Sequence, residues 1–79
     1  MILEEIRTQH RYMAVTIAFE EKKKHVFERI ISRTKHADLG GYYTSSNLSK
    51  YVKMTFRYTA STSGLINLLS KLNRELKSA

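Results

Sequence analysis

Residues 12–36 read YMAVTIAFEEKKKHVFERIISRTKH, and a change of period inside this stretch decides the fold class. From Tyr12 to Phe19 the chain alternates. Met13, Val15, Ile17 and Phe19 point one way, and Tyr12, Ala14, Thr16 and Ala18 the other. That is the period of a strand built from β-branched and aromatic side chains. From Glu20 the period becomes helical. Val26, Phe27, Ile30, Ile31 and Thr34 make one apolar stripe, and Lys22, Lys23, Lys24, Arg29, Arg33 and Lys35 fall mainly on the other faces. Glu20 and Glu21 sit where the helix dipole favours anions, and Lys35 and His36 where it favours cations. The stretch predicts a strand followed by a helix over 20–36.

Working outward, Gly40-Gly41 are expected in the connection after that helix. Tyr42 to Ser45 predicts a short strand, and Ser46-Asn47-Leu48-Ser49 has turn composition. Tyr51 to Thr59 alternates again, with Val52, Met54, Phe56 and Tyr58 on one face and Tyr51, Lys53, Thr55, Arg57 and Thr59 on the other. The two segments read as a hairpin. Leu65, Leu68, Leu69, Leu72 and Leu76 make the stripe of a last helix, with Ser61, Thr62 or Ser63 as its N-cap. At the other end, Ile2, Leu3 and Ile6 fit either a short amphipathic helix or an extended arm within residues 1–10.

The expectation is one α+β domain over residues 1–79, a two-layer sandwich in β-α-β-β-α order. Both helices would cover the Met13/Val15/Ile17/Phe19 and Val52/Met54/Phe56/Tyr58 face of one sheet. A βαβ reading also makes Tyr12–Phe19 and Tyr51–Thr59 adjacent and parallel. The order resembles a ferredoxin-like fold lacking its last strand. Tyr12 before the first strand and the Ser45-Ser46…Tyr51-Val52…Thr55 hairpin spacing, followed by a helix, are similar in outline to the small YbeD-like group of ferredoxin-like proteins. The likeness bears on the fold, and no residue role is carried over from it.

Composition bounds the function. The 79 residues hold 14 Lys and Arg against 7 Asp and Glu, a formal charge of +7, with no Cys and no Pro. Without Cys there is no disulfide framework and no thiolate metal site. MILEEIRTQHR does not read as a signal peptide, because carboxylates come early and no long apolar run follows. No stretch reaches the roughly 18 apolar residues of a membrane span. A cytoplasmic protein is expected, with no membrane partner. So strong a positive charge on so small a body attracts polyanions, of which DNA or RNA comes first and an acidic protein surface second.

The charge falls in three places: +3 over residues 20–36, +3 over Lys50–Tyr58 and +2 over Lys71–Lys77. On the strand, Lys53 and Arg57 share a face with Tyr51. An open sheet with rings and cations suits bases stacked on aromatics and phosphates held by charge. The nucleic-acid-binding set read from the sequence is therefore Lys22, Lys23, Lys24, Arg29, Arg33, Tyr51, Lys53 and Arg57. Residues 51–58 do not match the RNP1 pattern, and the same cations also fit an ordinary solvated face with Glu20, Glu21 and Glu28 as helical partners.

Catalysis has little support. His36 and Asp38 are the close His–carboxylate pair, next to Gly40-Gly41, and zinc needs three or four ligands. No metal, no cofactor and no enzyme activity are expected. Ser61-Thr62-Ser63-Gly64 could hold a phosphate at a helix start but reads better as a cap. Asn47-Leu48-Ser49 is a chance sequon. The alternative function is a non-enzymatic interaction or regulatory module, cellular or encoded by a phage or mobile element. It would bind an acidic protein or form a homodimer through its sheet face or an edge strand.

Overall fold

The computed structural model describes the backbone of residues 1–45 and 50–77 and the side chains of residues 1–39 and 50–77. Its elements run β1 (Ile2–Thr8), β2 (Met13–Glu20), a 3-10 turn (Glu21–Lys23), α1 (Lys24–Arg33), β3 (Ala37–Ser45), β4 (Tyr51–Tyr58) and α2 (Thr62–Lys77). The sheet order is β1-β2-β4-β3, and each neighbouring pair is antiparallel. The expected α+β class holds, with a four-stranded antiparallel sheet and two helices.

The order of elements is corrected at the N-terminus. It is β-β-α-β-β-α, not β-α-β-β-α. Residues 2–8 do not form the short helix; they are extended and dock as an edge strand beside β2, nearer to the expected extended arm. The fourth strand that the sequence reading left out is thus supplied from before β2 rather than from after α2.

A second correction concerns direction. β2 and β4 are adjacent, as expected, but antiparallel. The reason is topological. β3 pairs antiparallel to β4, and β4 pairs antiparallel to β2, so the two strands joined by α1 are parallel to each other with β4 inserted between them. The helix is also shorter than expected. Thr34 leaves helical geometry, and its hydroxyl donates to the Ile30 carbonyl at 2.6 Å, so Lys35 and His36 lie outside α1. Gly40-Gly41 fall inside β3, at a register shift between Leu39 and Tyr43, rather than before it. The 46–49 turn with its sequon, and the side chains of Tyr42 and Tyr43, lie outside the described residues.

The core follows from alternation on the two central strands. Val15 opposes Phe56, Ile17 opposes Met54 and Phe19 opposes Val52, and all six are buried. Phe27 enters from α1 with Ile30 and Ile31, and its ring lies 5.2 Å from that of Phe19 and 6.0 Å from that of Phe56. Leu65, Leu68, Leu72 and Leu76 close the cluster from α2. Both helices therefore cover one sheet face, α1 toward β3 and α2 toward β2. Ser61 caps α2. Its carbonyl accepts the first helical bond, from the Leu65 N–H at 3.1 Å, and its hydroxyl accepts from the Gly64 N–H at 3.3 Å, which satisfies one otherwise orphan helix-end donor.

Candidate nucleic-acid interface

The uncovered face of the sheet is the first place to look for the stacking surface that the sequence suggested. Register assigns its rows. Ala18 stands between Ile2 and Lys53, Thr16 between Glu5 and Thr55, and Ala14 between Arg7 and Arg57. Small side chains run down β2, and the Thr16 and Thr55 hydroxyls meet at 2.9 Å. The charges on this side meet opposite charges. Lys53 Nζ lies 3.5 Å from Glu4 Oε1, Arg57 donates to Asp38 Oδ2 at 2.9 Å, and Arg7 donates to Glu5 Oε2 at 3.2 Å.

The tyrosines do not form a platform. Tyr51 is opposite Glu20 at one end of β2, while Tyr12 precedes the other end. About eight residues at roughly 3.3 Å each separate them, about 26 Å. Tyr12 is also half-buried, with the Arg57 guanidinium 5.9 Å from its ring centroid. The sheet face therefore carries matched charges and two distant rings.

The lysine run at the start of α1 is divided. Lys22 lies 3.3 Å from Glu20, and the described residues lining the hollow of about 500 Å³ beside it are Glu20, Glu21, Lys22 and Lys50. The Lys50 carbonyl accepts from the Glu21 N–H at 2.9 Å and closes this end of the fold. Lys23 and Lys24 are half-buried.

The rest of the positive charge lies on the helices, their ends and the connections. Four bases, Arg7, Lys22, Lys53 and Arg57, are paired with Glu5, Glu20, Glu4 and Asp38. The other ten Lys and Arg stand with Glu21, Glu28 and Glu75 on the helices, their ends and the connections, and this set carries the net excess of +7. Its most organised part is a groove of about 240 Å³ between α1 and α2, lined by Val26, Arg29, Ile30, Arg33, Lys71 and Glu75. Among the described residues, Arg29, Arg33 and Lys71 have no ion-pair partner. Arg29 and Arg33 are four residues apart on one helix flank, so they repeat at about 6 Å along its axis. Lys71 joins them from α2.

Of the residues singled out in the sequence, Arg29 and Arg33 come together in this groove. Lys53 and Arg57 lie on the opposite side of the molecule with Tyr51, and Lys22 lies at the sheet end. Lys71 was missed as a site residue. Its one readable sign is that Lys71 and Glu75 share a flank of the leucine-striped helix, and only the packing reveals that this flank faces α1. Asp38, the carboxylate two residues from His36, accepts from Arg57 at 2.9 Å. His36 has a φ of 71° and its carbonyl accepts from the Thr59 N–H at 2.9 Å, which makes it the turn residue that starts β3. Among the described residues no cluster of three or more His, Cys, Asp or Glu could hold a metal ion, and no helix is long and apolar enough to cross a membrane. Comparison with protein-family models, with curated proteins and with solved structures finds no match in any of the three.

Proposed function

We propose that the chain binds nucleic acid through the α1–α2 groove, with Arg29, Arg33 and Lys71 holding backbone phosphates. The supporting observation is the distribution of charge. The sheet-face cations are matched by acids, whereas the groove presents three cations with one carboxylate, Glu75, between two helices. Phosphate contacts need cations at suitable spacing and carry no base information, so this reading implies binding with little sequence preference. Arg74, about one turn beyond Lys71 on α2, extends the same charge. Tyr51, Lys53 and Arg57 drop out of the contact set.

The test is a titration of the protein into fluorescently labelled 20-mers of DNA and of RNA, from about 50 to 200 mM salt. Three phosphate contacts give a log–log slope near −3 on duplex and near −2 on single strands. No binding to either polymer at about 50 mM salt overturns the proposal. A second reading, an interaction module, is favoured by one feature that the groove does not use: the apolar edge formed by β1.

A further inference from the structure

The exposed large apolar side chains are not scattered. Of the five among the described residues, Ile2, Leu3 and Ile6 belong to β1. β1 is an edge strand, so one side of its backbone has no partner within the sheet. Leu3 opposes Ile17 and Ile6 opposes Val15, which puts both on the side of the helices. They are nevertheless 46% and 44% exposed, because the helical layer does not reach over β1. Ile66, 57% exposed, lies on α2. The α2 flank with Lys71 and Glu75 faces α1, and Ile66, about 100° around the helix from Leu65 in the other sense, faces the β1 side. Leu3, Ile6 and Ile66 thus border the open edge on the helical side.

The charges of β1 say what pairs with this edge. From Glu5 to Thr8 the strand is regular, with Glu5 and Arg7 both on the open sheet face. An antiparallel pairing of two identical strands about a two-fold axis sets one residue opposite its own copy. Centred on Glu5, it would oppose two carboxylates, and centred on Arg7, two guanidiniums, both unfavourable. Centred on Thr8, it would use the end of the strand. Centred on Ile6, it sets Ile6 against Ile6 and each Glu5 against the other chain's Arg7. Only this register makes the edge self-complementary in charge and apolar contact together. The register shift between Leu3 and Glu5 limits the regular pairing to this short segment.

We infer that β1 is the interface of a homodimer, two sheets joined edge to edge through antiparallel β1 strands with Ile6 on the two-fold axis. The Glu5–Arg7 pair within each chain exchanges partners across the interface. The contact is isologous and closes at two copies. It lies on the flank of α2 away from the groove, so it stands or falls independently of nucleic-acid binding.

Sedimentation equilibrium tests it. The mass should rise from 9.2 kDa toward twice that value as concentration increases from about 5 to 200 μM. Arg7→Glu alone gives two acids on each edge and should remain monomeric, and Glu5→Arg alone gives two bases and should do the same. Mixed in equal amounts, the two variants should associate, because each acid then meets a base although neither chain retains its internal pair. Positions 5 and 7 are exposed, so both variants should keep the wild-type circular dichroism spectrum. A wild type that stays at 9.2 kDa through about 200 μM overturns the inference. So does a wild type that dimerises while the mixed variants do not.

Discussion

Gly64 is where a single atom matters most. It lies in the first turn of α2, and a Cβ placed there would collide with the Tyr58 hydroxyl. Alanine normally favours a helix interior by roughly 1 kcal/mol over glycine. Here the clash outweighs that gain, and Gly64→Ala should lower the unfolding free energy by about 1–2 kcal/mol, measured by urea denaturation. Tyr58→Phe removes the hydroxyl, so in the double variant most of the loss should be recovered. Strictly additive losses would contradict the account. His36 supplies a second case. Its φ of 71° lies in the left-handed region, which glycine tolerates and β-branched residues avoid. Stability at position 36 should follow Gly above His above Val, and a valine variant at or above wild type would exclude that backbone conformation. Alternation made Lys53 and Arg57 legible in the sequence as neighbours on one face. Their neutralisation was not legible, because Glu4 and Asp38 stand in segments whose strand character was missed.

Missed strand character has a specific cause at each end of the sheet. In β1 the register shift at Glu4 places Leu3 and Ile6 on one face although they are three residues apart. A spacing of three imitates a helix and breaks the period of two on which strand assignment depends. In β3, Gly40-Gly41 read as a connection because glycine is depleted in strands, and they coincide with the irregular part of the strand. The central elements had no such interruption. The residues of β2 and β4 predicted to face the core are buried except Met13, which is half-buried at the start of β2. α1 was legible from its stripe, and its docking rests on Phe27, buried between Phe19 and Phe56. Phe27→Ala should cost about 3–5 kcal/mol. A chain of 79 residues has roughly 4–12 kcal/mol in total, so thermal melting should find this variant largely unfolded near 37 °C. A shift of the melting midpoint by only a few degrees would mean that α1 is not held by this cluster.

Across the whole molecule, the charge of +7 was legible from composition, but its placement was not. Placement needs the strand register, which matches Lys53 with Glu4 and Arg57 with Asp38, and the helix packing, which brings Arg29, Arg33 and Lys71 to one groove. A bulk-charge account and a groove account differ sharply in one comparison. The pair Arg29→Gln/Arg33→Gln and the pair Lys53→Gln/Arg57→Gln each lower the net charge by two. All four substituted residues are exposed. The decisive measurement is nucleic-acid affinity of wild type and both variants across a salt titration. The groove variant should lose about tenfold or more near 0.1 M salt and its log–log slope should shrink by about 2, while the sheet variant should change less than about threefold. Equal losses from the two variants, or a larger loss from the sheet variant, would contradict the assignment of the binding surface to the α1–α2 groove.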